Sequence, residues 1–114
     1  MNEEFIKRLY ETSIIDGLES YKNQFNNTVI TDKTAEFTKK ALDMYQSLTS
    51  DQKEVFFEVL KITMIDTISL MFGVLDGSST LNGGYMDVKM SIDGKDTEEE
   101  LQDTFLEYVE NIEG

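Results

Sequence analysis

The chain has no cysteine, no histidine, no proline and no tryptophan among its 114 residues. Without cysteine there are no disulfides, no thiolate nucleophile and no sulfur-based zinc site. Without histidine the Ser-His and Cys-His pairs are missing, and so is the commonest metal ligand. Basic residues are scarce as well, with 10 Lys and Arg against 23 Asp and Glu, for a net charge of −13. What is present is a clustered apolar set, 39% of the residues, enough for one folded core at this length and too much for wholesale disorder. We therefore expect one acidic helical domain spanning residues 1–114.

The charge is unevenly placed. Residues 1–48 hold 8 acids and 6 bases, residues 49–75 hold 4 and 2, and residues 76–114 hold 11 and 2. The last third thus carries a net −9. Such a surface repels phosphate backbones and anionic lipid, which argues against nucleic acid or membrane as partner and for a basic protein surface. Solubility alone is the simpler account of the acidity. The start, Met1-Asn2-Glu3-Glu4, has acids where a signal peptide carries Lys or Arg. The most apolar run, Val55–Leu75, contains Glu58, Lys61 and Asp66, which are costly in lipid. The expected location is cytoplasmic.

Four helical segments can be read from periodicity. Phe5, Ile6, Leu9, Tyr10, Ile14, Ile15, Leu18, Tyr21 and Phe25 define a first helix from about Glu3 to Phe25, with Asn2 as its expected cap and Gly17 marking a close crossing or a bend. Val29 and Ile30 form an apolar loop expected to tuck onto the core. A second helix starts at Thr31 or Asp32 and runs to about Leu48, with Ala35, Thr38, Leu42, Tyr45 and Leu48 inward. Thr49 and Gln52 have capping-box spacing and open a third helix, about Asp51 to Leu75. Its apolar residues leave almost no polar face after Ile62, so we expect other elements to surround it on most sides. Gly77 suits its left-handed end.

Tyr85–Ile92 alternates in the manner of a strand. Ser78–Leu81, across Asn82-Gly83-Gly84, is the nearest expected partner, and a second subunit is the other. Asp93-Gly94 turns the chain, and Asp96 or Thr97, the latter with Glu100 at capping-box spacing, caps a last helix. Its stripe is Leu101, Phe105, Tyr108, Val109 and Ile112. The fold class is mainly α (α+β): a three-helix bundle, a short β-hairpin or edge strand, and a C-terminal helix.

Few residues point to chemistry. Asp76–Asp87 has Asp76, Ser78 and Thr80 at calcium-loop spacing, but Leu81 stands where the loop needs glycine and Asp87 where it needs a bidentate Glu. There is no phosphate-cradling loop and no nucleophile elbow. Glu54 with Glu58, and Asp103 with Glu107 and Glu110, share helix faces, as in carboxylate-and-metal enzymes, yet the latter set lies opposite the apolar stripe. Asp66, between Ile65 and Ile68 on the most apolar helix, is the expected buried polar group, to be satisfied by a helix end, a Tyr or a Lys. No catalytic residue, metal site or cofactor is expected. Asp96, Glu98, Glu99, Glu100, Asp103, Glu107, Glu110 and Glu113 crowd the last helix and its approach. Those near its end are disfavoured by the helix dipole.

Phe56-Phe57-Glu58-Val59, Asp66-Thr67-Ile68, Gly73-Val74-Leu75-Asp76-Gly77 and Leu101-Gln102-Asp103-Thr104-Phe105-Leu106-Glu107-Tyr108 resemble a family of small, acidic, uncharacterised bacterial proteins. The resemblance covers roughly residues 40–112, and its motifs serve packing and capping. Size and charge are also similar in type to immunity proteins that neutralise toxins. The function expected is non-catalytic binding of a basic protein partner, as an immunity-type inhibitor, through Glu98, Glu99, Glu100, Asp103, Glu107 and Glu110. A small carboxylate/divalent-metal enzyme and a structural homo-oligomer, such as a homodimer, are the alternatives.

Overall fold

The first apolar pattern folds as a nearly continuous helical rod. A computed structural model describes all residues, Met1–Gly114. It shows α1 (Asn2–Tyr10), a π-helical turn (Glu11–Ile15) and α2 (Asp16–Asn27) running one into the next. Ile6, Tyr10 and Ile14, all buried, are spaced by steps of four. In an ideal α-helix each such step drifts by about 40° around the axis. The wider i→i+5 turn takes up that drift and keeps the three side chains on one line. Asn2 does not cap this helix; its side-chain amide donates to the Thr97 carbonyl at 3.0 Å. Gly17 sits just past the π turn, where an added β-carbon would lie 3.3 Å from Met64 Cε, so it allows a close crossing.

The remaining elements are α3 (Glu36–Gln46), α4 (Ser50–Asp76), β1 (Ser91–Ile92), β2 (Lys95–Asp96) and α5 (Leu101–Glu113). The fold is mainly helical with one short antiparallel hairpin and a C-terminal helix, as the periodicity requires. α3 begins later than expected, because Thr31 and Thr34 bond to each other in a turn of their own rather than capping. Val29 is exposed and does not tuck onto the core, whereas Ile30 is half-buried. α4 opens on the expected capping box: Gln52 N–H donates to Thr49 Oγ1 at 3.1 Å, and Thr49 N–H to Gln52 Oε1 at 2.9 Å. It closes on Gly77 at φ 85°.

Two apolar clusters hold these elements. The main one joins Ile6, Tyr10 and Ile14 to Phe72 of α4 and to Leu101 and Phe105 of α5, with Met64, Ile65 and Ile68 packed against it. A smaller aromatic cluster at the other end stacks Phe25, Tyr45, Phe56 and Phe57 edge to face or tilted, with centroids 5.1 to 6.3 Å apart. Leu42 and Tyr45 are the buried residues of α3, and the Tyr45 hydroxyl donates to Asn26 Oδ1 at 2.7 Å.

Two expectations fail on α4 and one on the strand. The helix is not surrounded: Val55, Val59, Ile62, Leu70 and Met71 are each more than half exposed. Asp66 lies on that open side and is exposed, so the expected buried polar group is not there. The strand pairs forward instead of back, Ser91 with Asp96 and Ile92 with Lys95, across Asp93-Gly94. Both turn residues have positive φ, 51° and 82°, the conformation a two-residue hairpin demands and Asp-Gly readily adopts.

Candidate functional site

The acidic face is built from the hairpin outward. Thr97, buried, anchors it: its N–H and hydroxyl both donate to the Met90 carbonyl, at 3.0 and 3.2 Å, while its own carbonyl accepts from Asn2. Between Thr97 and the first residue of α5 the chain turns within three glutamates. Glu98 and Glu99 take left-handed φ values of 58° and 59°, and Glu100 N–H closes back on the Thr97 carbonyl at 3.3 Å. Glu98 N–H donates to Asp96 Oδ1 at 2.6 Å. A left-handed non-glycine residue costs about 1–2 kcal/mol. The anchors on either side impose this turn, and glutamates occupy positions that glycine would fill without strain.

Neither Thr97 nor Asp96 caps α5. The helix begins at Leu101 with Glu100 before it and no local side-chain cap. The cap comes from across the fold. Asp76, the last residue of α4 and only 5% exposed, accepts from Leu101 N–H at 3.2 Å and Gln102 N–H at 2.7 Å. Its negative charge meets the positive end of the α5 dipole. Gln102 in turn donates to the Ser69 carbonyl at 2.9 Å. Gly73 permits the approach, since a β-carbon there would lie 2.9 Å from Gln102 Nε2. Asp76 is therefore the buried carboxylate of this protein, and sequence reasoning placed that role on Asp66. A signal was present: an acid in the last turn of a helix opposes that helix's own dipole, so it serves another element.

All six residues expected at the partner face, Glu98, Glu99, Glu100, Asp103, Glu107 and Glu110, are exposed. None of them forms an ion pair; the salt bridges are Arg8–Glu4, Lys61–Glu113 and the N-terminus with Glu3. Asp103, Glu107 and Glu110 share the side of α5 that faces away from Leu101 and Phe105. Glu113, counted with the same acidic crowd, does different work. It accepts from the Tyr10 hydroxyl on one oxygen and from Lys61 Nζ, at 2.7 Å, on the other. The Lys61 bond, then the Tyr10 bond, hold its carboxyl below the usual carboxylate range, and burial, then the Glu113 bond, push the Tyr10 phenol well above its own. This triad pins the end of α5 to α1 and α4.

Compared with protein-family models, with curated proteins and with solved structures, the chain matches none. The chemistry must be read from the geometry alone. A cleft of about 330 Å³ opens beside the glutamate turn, lined by Leu75, Val88 and Met90 as its apolar part and by Lys89, Asp96, Thr97, Glu98 and Glu99. A second, of about 160 Å³, sets Glu107 with Glu3 of α1. Apolar residues beside carboxylates suit a long basic side chain, whose stem packs while its charged end is paired, although Lys89 already lines the same cleft. No three acidic side chains converge to hold a metal ion. No helix is long and apolar enough to cross a membrane.

Proposed function

We propose that the protein is a non-catalytic binding module that docks a basic protein surface on its acidic face, as an immunity-type inhibitor acting in the bacterial cytoplasm. The observation that carries this reading is the glutamate turn. Glu98 and Glu99 are held in a backbone conformation that disfavours them, exposed and without a salt bridge, in the lining of a cleft that also has apolar residues. Stability does not account for acids there, and a partner's Lys or Arg does. Glu100, Asp103, Glu107 and Glu110 extend the same field along α5, where they steer approach and accelerate association.

The test is affinity capture from bacterial cytoplasm at low salt, followed by association kinetics with the purified basic protein retained. Charge reversal at Glu99, Asp103 and Glu107 together should slow association at least tenfold and flatten its salt dependence. Unchanged kinetics, or capture of the same proteins by the reversed variant, would defeat the reading.

A further inference from the structure

We propose that the solvent-facing side of α4 is where two copies of this chain associate, antiparallel, along Val55, Val59, Ile62 and Leu70. The inference goes beyond the acidic face and uses none of its residues. α4 is apolar on two opposite sides. Phe57, Met64, Ile68 and Phe72 face the two clusters, while Val55, Val59, Ile62, Asp66 and Leu70, in steps of four, three, four and four, form a straight stripe on the other side. Its four apolar members are 55–60% exposed. A soluble helix normally keeps that side polar.

The surface area of the whole chain leaves room for a cover. A compact monomer of 13.1 kDa exposes about 6,400 Å², whereas this chain exposes 8082 Å². Its radius of gyration is 17.7 Å, against about 13 Å for a compact domain of this length. The excess area, about 1,700 Å², is roughly twice the 800 Å² that each partner loses in a standard-sized interface.

Charge says that the cover is another copy. From Val55 to Leu70 the charged residues are Glu58, Lys61, which is engaged with Glu113, and Asp66. Most of the net −13 therefore lies elsewhere, so a second anionic chain meets only Glu58 and Asp66 here, and a basic partner would find just those two carboxylates on a stripe that is otherwise apolar. The stripe is also self-complementary. An antiparallel dyad between Ile62 and Thr63 sets Val55 against Leu70 of the second copy and Val59 against its Asp66. The two Asp66 carboxylates then lie about 10 Å apart along the axis, beyond the physiological screening length of about 8 Å. Each still loses water on the seam without gaining a cation, so Asp66 weakens this dimer rather than building it.

Sedimentation velocity of the full chain from about 1 to 500 µM tests the proposal. The mass should rise from one chain to two across that range. Ile62→Lys should raise the dissociation constant at least tenfold, and Asp66→Leu should lower it about tenfold. Both sites are solvent-facing, so helical circular dichroism should be unchanged. Glu107→Lys, on the acidic face, should leave the constant where it was, which separates this result from the fate of the binding reading. A single-chain mass at every concentration overturns the proposal. So does a dimer indifferent to Ile62→Lys, or one that Asp66→Leu weakens, since the latter means that the stripe meets a cation instead of its own copy.

Discussion

Asp76→Ala should loosen one end of the molecule selectively. The Asp76 carboxylate satisfies the first two amides of α5, at 3.2 and 2.7 Å, in a place where Leu101 is fully buried and water cannot substitute freely. A local N-cap is worth about 1 kcal/mol and up to about 2. Hydrogen bonds to a charged group contribute about 1.5–3 kcal/mol, and truncation also leaves the amides without an acceptor. We therefore expect a loss of about 2–3 kcal/mol, or a fall in Tm of roughly 8–12 °C for a chain of this size. Asp76→Asn keeps the shape and one acceptor but drops the charge at the helix start, and should lose about half as much. Urea denaturation followed by circular dichroism gives the totals. Amide exchange gives the location, with Leu101 and Gln102 amides exchanging far faster than those of α1. An Asp76→Ala variant within 0.5 kcal/mol of wild type, or one whose faster exchange spreads evenly over the chain, would refute the trans-capping argument.

Other expectations follow from the same geometry. Glu98→Gly and Glu99→Gly should each stabilise the fold by about 0.5–1 kcal/mol, the relief of a left-handed glutamate less the added freedom of the unfolded chain, while weakening partner association; thermal melts paired with binding kinetics check both signs. The Glu113 carboxyl is depressed in the folded state, so its contribution is present above the usual carboxylate value of 4.5 and is lost as pH falls through the folded value; the stability difference between wild type and Glu113→Gln should shrink on the acid side. The Tyr10 phenol is raised, so its contribution is intact below pH 10.0 and is lost as pH climbs above it; Tyr10→Phe should show a shallower alkaline limb in the same titration. Tyr45→Ala should cost about 3–4 kcal/mol of local stability, because Tyr45 and Leu42 are all that α3 buries, and limited proteolysis should cut first between residues 28 and 50.

Periodicity was enough for the helices and for the direction of the acidic face. Leu101, Phe105 and Tyr108 mark the inner side of α5, and once that side is known the carboxylates at 103, 107 and 110 must point away. The Thr49–Gln52 box and the Gly77 end were equally legible, because they are local bonds between neighbours in the chain. What escaped was non-local. The cap of α5 comes from 25 residues upstream, and no spacing rule links Asp76 to Leu101. The hairpin partner was misplaced because three turn-forming residues, Asn82-Gly83-Gly84, outweighed the two that make the turn. The exposed side of α4 escaped because an apolar run looks the same in the sequence whether other elements of the chain cover it or leave it open. Asp66 followed that error into the interior.

The π turn at Glu11–Ile15 bears on how the chain tolerates change. Removing one residue there would leave an unbroken helix of ordinary pitch, a local gain. Because the wide turn already absorbs the surplus residue, everything downstream would keep nearly the same phase relative to what precedes it. Phe25 would stay with Tyr45 and Phe56, and the loss would fall on the buried line of Ile6, Tyr10 and Ile14, whose last member would drift off it. The bulge is a surplus residue stored in one rod, and a deletion screen across residues 11–15 would find its losses at the Ile14 socket while the aromatic end stayed assembled.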